Sequence, residues 1–248
     1  MISRSIFLIA FLFVNLVSFA QAEVYELRTY HLKFGTSEKT LHEYFEQALI
    51  PALNRNGVEV VGVFEEADPT LPKKLYVLIP YKNMQEFGQI SGLLQEDESL
   101  QQAAASFWAI SPDKFPYQRY ETSLMLAESG FPNLQKPAEG SNFFELRTYQ
   151  GYNEDALRRK LKMFNEEEFN IFKNINFPIV FFGKNIAGDQ MPSLTYLLVT
   201  KDRKENGEAW QRFGSDSDWK RISGMKEYEN TVSNIIQTYL RPLSFSQL

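Results

Sequence analysis

The chain has 248 residues, of which 44% are hydrophobic and 23% are charged. This length allows one large domain or two small ones, and the composition is typical of globular domains rather than long disordered segments. A formal net charge of −5 argues against a general nucleic-acid-binding protein, which carries a basic excess. Cysteine is absent, which excludes disulfides, thiol catalysis and iron–sulfur clusters. With only two histidines, a multi-histidine metal site is not expected either, so we expect no metal and no cofactor.

The first 22 residues have the pattern of a cleavable export signal. Arg4 supplies a basic start, an almost wholly apolar run covers residues 6–17, and Ala20-Gln21-Ala22 places small residues where a signal peptidase cuts. The apolar run is shorter than the roughly 20 residues of a comfortable membrane span. An uncleaved anchor is the alternative. The pattern predicts a cut between Ala22 and Glu23 and a periplasmic or secreted protein that is not held at a membrane.

A five-residue motif occurs twice, 119 residues apart. Glu-Leu-Arg-Thr-Tyr spans residues 26–30 and recurs at residues 145–149. The same spacing relates Phe45 to Phe164, Val61 to Val180, Leu75 to Leu194 and Tyr120 to Tyr239. Two copies are too few for a solenoid, so they predict two related units. We place these units at residues 23–127 and 143–248, joined by a Gly- and Pro-containing linker over residues 128–142.

The hydrophobic pattern of the first unit predicts four strands and two helical regions. Residues 24–30 alternate as a strand does, and apolar residues recur at helical spacing over residues 37–54. Pro51 is expected to kink or end that helix. The other predicted elements are strands at 58–64, 75–80 and 117–126 and a helical stretch over 83–107 that breaks near Glu96.

The second unit repeats this order. Its predicted elements are strands at 143–149, 179–183, 194–200 and 234–243, a helix at 154–173, and helical stretches through Trp210 and Trp219. The order β-α-β-β-α-β is that of a ferredoxin-like unit, an α+β fold with an antiparallel sheet covered by helices on one side. The bare side of the sheet must also be covered, and a tandem copy can cover it.

These features together resemble the NIPSNAP family. They are the opening strand at residues 25–30, the amphipathic helix with an internal proline, the glycine at position 57, and a second opening strand at residues 144–149. The resemblance implies a dimeric α+β barrel, here formed within one chain by two units whose sheets face each other. The wider superfamily includes small monooxygenases and haem-degrading enzymes, whereas the NIPSNAP family has no agreed reaction and no established catalytic residues.

The two motif strands carry the candidate ligand-binding residues. Alternation places the glutamate, arginine and tyrosine of each motif on one face and the leucine and threonine on the other. We expect the polar face to point between the two sheets, with Leu27 and Leu146 packed under helices. Either an internal ion-pair network or a polar ligand cavity would explain such a cluster. The candidates, with the histidine that follows the first motif, are Glu26, Arg28, Tyr30, His31, Glu145, Arg147 and Tyr149.

Other conspicuous residues are given less specific interpretations. His31 could act as a base or a haem ligand, although a lone histidine at a strand end is more often structural. The aromatic residues Tyr44, Trp108, Trp210 and Trp219 could line a pocket between helices and sheet or could be ordinary core. The acidic run at residues 166–168 is interpreted as a solvated helix face.

Two classes of function remain open. The absence of catalytic motifs favours an exported protein that binds a small apolar or aromatic ligand, or a protein partner, without catalysis. The alternative is a small-molecule enzyme of the α+β barrel type, such as a cofactor-free monooxygenase or an isomerase, with its pocket between helices and sheet. No nucleic-acid partner is expected, and a homodimer remains open.

Overall fold

A computed structural model describes residues 22–248. Most of the predicted export signal therefore lies outside the described residues. The first unit contains the strands β1 (Val24–Leu32), β2 (Gly62–Glu66), β3 (Lys74–Tyr81) and β4 (Tyr117–Ala127) and the helices α1 (Lys39–Tyr44), α2 (Ile50–Arg55), α3 (Met84–Glu96) and α4 (Glu98–Trp108). The second unit contains the strands β5 (Phe143–Gln150), β6 (Ile179–Ala187), β7 (Ser193–Thr200) and β8 (Asn234–Pro242) and the helices α5 (Glu154–Met163), α6 (Phe169–Asn174), α7 (Arg203–Ser215) and α8 (Ser217–Ser223).

The eight strands close into one antiparallel barrel in the order β1-β3-β2-β8-β5-β7-β6-β4. Within each unit the strands follow the ferredoxin-like order 4-1-3-2, so the predicted tandem architecture is confirmed. The units join where β2 pairs with β8 and where β4 pairs with β6. Because the barrel is closed, the side of each sheet that faces away from its helices lies inside the barrel and is covered.

Local sequence explains the helix boundaries. Asp97 ends α3 and caps α4 by accepting a hydrogen bond from the Leu100 N–H, so the predicted break near Glu96 is confirmed. The helix that contains Pro51 loses its regular form just before the proline, as predicted, but the second unit has the same π turn at Phe164–Glu168 with Asn170 in place of Pro51, so the turn does not need a proline. A π turn at Phe45–Leu49 joins α1 to α2, and Pro51 lies in the first turn of α2.

The barrel interior is filled by apolar side chains from both units. Tyr25 and Phe181 pack with ring centres 5.0 Å apart, and Phe64 and Phe144 pack at 4.9 Å. Leucine, valine and methionine side chains complete this core. Two further cores lie outside the barrel, one between each sheet and its helices.

The structure corrects the predicted orientation of the motif strands. Leu27 and Leu146 point into the barrel, and Tyr30 and Tyr149 pack under the helices. The glutamate and arginine of each motif share the helix side with their tyrosine. The physical reason is that the closed barrel is the driest compartment, whereas the helix layer offers polar partners and, in places, solvent. The prediction had assumed instead that the space between the sheets would take the polar side chains and the helix layer the apolar ones.

The end of the chain ties the second unit to the first. After β8, residues 243–248 run beside β2, where the Leu243 N–H donates to the Val63 oxygen at 2.9 Å and the Gln247 N–H to the Val61 oxygen at 3.0 Å. These bonds satisfy backbone groups on the edge of β2 that the short β2–β8 pairing leaves open. The two units are therefore joined at the sheet by strand pairing and by this terminal segment.

Candidate functional site

In the first unit, Glu26 and Arg28 form a buried ion pair on the helix side of β1. The Arg28 Nε donates to Glu26 Oε1 at 2.7 Å and its Nη2 donates to Oε2 at 3.0 Å. The Tyr81 hydroxyl also donates to Glu26 Oε2, at 2.9 Å. Burial alone would lower the pKa of Arg28, but the Glu26 carboxylate outweighs it and raises that pKa. The guanidinium is therefore a fixed positive charge, and its Nη1 is not used in either bond to Glu26.

Arg28 borders an open cleft of about 690 Å³ between the sheet and the helices of the first unit, which we call the Arg28 cleft. Its lining is apolar and aromatic apart from the guanidinium, the Tyr44 hydroxyl and two glutamine amides. The residues besides Arg28 are Tyr44, Leu49, Leu94, Gln95, Leu100, Gln101, Ala105 and Trp108. Arg28 is the charged side chain of this lining, and the guanidinium N–H groups that Glu26 leaves unused can orient a small organic anion in apolar surroundings.

Trp108 connects the Arg28 cleft to a second opening. Its side chain is half exposed and also borders a neighbouring cleft of about 930 Å³ that includes Tyr117 and Tyr120. Tyr120 stacks on Tyr30 with ring centres 5.0 Å apart, and its ring lies 5.9 Å from the Arg28 guanidinium carbon. The aromatic wall therefore continues from one cleft to the other.

The titratable groups of the Arg28 cleft are donors rather than bases. Burial raises the pKa of Tyr44 to about 12, and burial also raises the pKa of Tyr117 in the neighbouring cleft. Both phenols are therefore protonated at neutral pH. The described lining contains no histidine, lysine or carboxylate. The cleft can bind and polarise an anion, and its walls provide no group that would remove a proton.

In the equivalent pair of the second unit the carboxylate is fully enclosed, whereas Arg147 is about as exposed as Arg28, at 13% against 15%. Glu145 has no exposed surface and accepts a hydrogen bond from the Arg147 Nη1 at 2.6 Å. Three more donors reach this carboxylate: Asn206 Nδ2 at 2.8 Å, Trp210 Nε1 at 2.6 Å and Gln237 Nε2 at 2.5 Å. The Trp210 ring lies over Arg147, with the guanidinium carbon 4.4 Å from the ring centre. In the second unit, side chains of the protein itself therefore lie against Arg147 and its carboxylate partner.

A second buried ion pair in this unit was missed by the sequence analysis. Lys160 on α5 bonds to Glu168, and their side chains are 6% and 2% exposed. The interpretation of the acidic run 166–168 as a solvated face is therefore wrong for Glu168. Helical spacing explains the error, because Glu168 lies on the buried side with Phe164, at a position where the first unit has Leu49. A comparison of the two copies could have indicated that Glu168 is buried, because it aligns with an apolar residue of the first unit.

The remaining predicted residues do not join the Arg28 cleft directly. Tyr30 packs edge-on against Phe45 with ring centres 5.0 Å apart, and burial raises its pKa. The Tyr149 hydroxyl accepts a hydrogen bond from Tyr196 at 2.9 Å. His31 lies on the barrel side of β1, with its Nε2 3.0 Å from a Glu121 oxygen. The seven predicted residues therefore divide into two helix-side clusters and one separate histidine.

A family model decides the relationship of the chain to known proteins. The NIPSNAP model matches residues 25–110 and 144–247, one segment in each unit. The chain belongs to the NIPSNAP family. No curated protein sequence matches the chain. The expected family resemblance is thus confirmed, in both copies.

Solved structures place this NIPSNAP protein in the α+β barrel fold. A candidate monooxygenase of Fusobacterium nucleatum is similar with a TM-score of 0.57 and 14% identity, covering 90% of this chain and 93% of that one. A candidate monooxygenase of Lactobacillus acidophilus has a TM-score of 0.55 and 12% identity, with 90% and 94% covered. A NIPSNAP family protein of unknown function from Agrobacterium tumefaciens is 21% identical, with a TM-score of 0.39, covering 45% of this chain and 96% of its own. At these identities the likeness shows the fold alone.

The described residues show neither a metal-binding cluster nor a membrane-spanning helix. Within residues 22–248, no group of three or more histidine, aspartate or glutamate side chains is arranged to hold a metal ion. Over the same range, no helix is both long and apolar enough to span a membrane.

Proposed function

We propose that this NIPSNAP protein is an exported binding protein that holds a small organic anion with a flat, apolar body in the Arg28 cleft. The observation that carries the proposal is the Arg28 guanidinium, fixed by Glu26 at the edge of an otherwise apolar and aromatic opening. A carboxylate on the ligand would bond to the guanidinium, and its ring would pack against Tyr44 and Trp108.

The chemistry of the lining favours binding over catalysis. Arg28 and protonated Tyr44 could stabilise a developing oxyanion, which is what an enzyme of the alternative class would use. Proton abstraction needs a group of suitable pKa within hydrogen-bond reach, and the described lining supplies none. We therefore favour a binding function for this cleft.

Calorimetric titration with 2-naphthoate tests this proposal. Arg28→Gln removes the positive charge and should weaken binding about 10- to 100-fold, because a hydrogen bond to a charged group contributes about 1.5–3 kcal/mol. The neutral isostere 2-naphthamide should bind the wild-type protein more weakly than 2-naphthoate does.

The repeat supplies a matched control for this experiment. Arg147→Gln makes the same change at the equivalent position of the second unit, where Trp210 covers the arginine, and should leave the affinity for 2-naphthoate unchanged. Circular dichroism would verify that both variants are folded. Equal weakening by the two substitutions, or equal affinity for the acid and the amide, would contradict the proposed site.

Export is a separate part of the proposal, supported by the sequence pattern of residues 1–22. N-terminal sequencing of the protein purified from its native source should find Glu23 as the first residue. Recovery of Met1 from that material would show that the segment is not cleaved.

A further inference from the structure

The two units can be compared position by position in their second helical regions. Helix α3 spans 84–96 and α7 spans 203–215, and α4 and α8 begin at Glu98 and Ser217, so the spacing of 119 residues holds throughout. The capping residues also correspond, with asparagine at 83 and aspartate at 202, and aspartate at both 97 and 216. A side chain in one unit therefore has a defined counterpart in the other.

Three counterparts in these helical regions differ in size. At the positions of Ser91, Leu94 and Leu100 in the first unit, the second unit carries Trp210, Phe213 and Trp219. These three rings form a continuous layer, with centres 5.5 Å apart for Trp210 and Phe213 and 4.6 Å apart for Phe213 and Trp219. Leu94 and Leu100 border the Arg28 cleft, whereas the three aromatic residues of the second unit pack against the core between its sheet and helices.

Trp210 makes contacts that are characteristic of a bound ligand. Its flat ring lies 4.4 Å from the Arg147 guanidinium carbon, and its Nε1 donates to Glu145 Oε2 at 2.6 Å. Stacking on a guanidinium is a favourable arrangement for an aromatic ring. In the first unit, the Tyr81 hydroxyl bonds to the corresponding Glu26 oxygen, so a ligand there needs no donor group for the carboxylate.

We infer that the second unit contains a closed counterpart of the Arg28 cleft, in which the Trp210 side chain takes the place of the ligand. The inference rests on the proposed function and makes it more specific. The ligand of the first unit is a flat aromatic molecule that fills the space beside the Arg28 guanidinium, as the indole ring fills the space beside Arg147. The second unit is a latent site for the same class of aromatic anion.

Two reciprocal substitutions test this inference, each introducing the residue that the other copy carries. Ser91 lies one helical turn before Leu94 of the cleft lining, so Ser91→Trp should place an indole over Arg28. We expect this variant to lose 2-naphthoate binding while remaining as stable as the wild-type protein. Trp210→Ser should uncover Arg147 and raise the stoichiometry of 2-naphthoate from one to two molecules per chain. Trp210→Phe is the control, because a ring is retained and the stoichiometry should stay at one.

The outcomes separate this inference from the proposed function. A folded Trp210→Ser variant that still binds one molecule would overturn the inference and leave the Arg28 cleft as the site. If Trp210→Ser does not fold, Ser91→Trp decides alone, because unchanged binding in that variant also overturns the inference. If the wild-type protein binds no 2-naphthoate, the proposed function fails for this ligand class. Binding of one molecule by Trp210→Ser would then support the latent site on its own.

Discussion

Replacing Lys160 by leucine should lower the free energy of unfolding by about 3–5 kcal/mol, because the substitution leaves a buried carboxylate without its partner. Glu168 is 2% exposed and bonds to Lys160. Burial raises the pKa of Glu168 above its ordinary value, and the loss of the lysine charge would raise that pKa further. The folded variant would then hold the Glu168 proton more tightly than the unfolded chain does, so the variant should gain stability as the pH falls from 7 toward 5.

The first unit provides the matched control for this prediction. Leu41 and Leu49 occupy the positions equivalent to Lys160 and Glu168 and are both buried. The double variant Lys160→Leu/Glu168→Leu therefore copies a pair that this fold already accommodates. Replacing a buried ion pair by apolar residues is often neutral or stabilising, so the double variant should recover most of the stability lost by the single variant. Urea unfolding at pH 7 measures both, and a double variant as unstable as the single one would contradict the explanation.

Removing the Glu145 carboxylate should have a comparably large effect. Glu145→Ala leaves Arg147, Asn206 and Trp210 without their shared acceptor in a fully buried position. A buried charge deprived of its partner costs about 3–5 kcal/mol. The equivalent substitution Glu26→Ala should cost less, because only Arg28 and Tyr81 donate to Glu26 within 3.0 Å, whereas four side chains donate to Glu145.

Equilibrium unfolding followed by circular dichroism compares these two variants directly. The expected order of stability is wild type, then Glu26→Ala, then Glu145→Ala. The reverse order of the two variants would contradict the explanation by the number of donors.

The strand order could be predicted from the sequence, but the enclosed face of each strand could not. The motif at residues 26–30 alternates, and alternation shows which side chains share a face. Which face becomes the barrel interior depends on the pairing of β2 with β8 and of β4 with β6, contacts between residues far apart in the chain. The pairing of Glu26 with Arg28 was therefore foreseeable, whereas its position under the helices was not.

The candidate site could be predicted only in part, for a similar reason. Single-residue interpretation placed Trp108 and Trp210 in one group of aromatic residues, and the structure puts the first beside an opening and the second over an arginine. The sizes of the residues at equivalent positions distinguish the two situations. That comparison requires knowing that α3 and α7 present the same positions to the arginines, which is a property of packing rather than of local pattern.

The covalent union of the two units has an energetic consequence for the cleft. An open cleft leaves apolar surface in contact with water, so the first unit forgoes part of the stabilisation that burial would give it. The strand pairings between the units and the bonds from residues 243–248 to β2 make local opening of the first unit disturb the second as well. In a barrel of two identical chains, every aromatic side chain that closes one cleft would close the other. In a single chain the two units can differ in sequence. The closely packed second unit can then restrict the motion of the first unit, which keeps its open cleft.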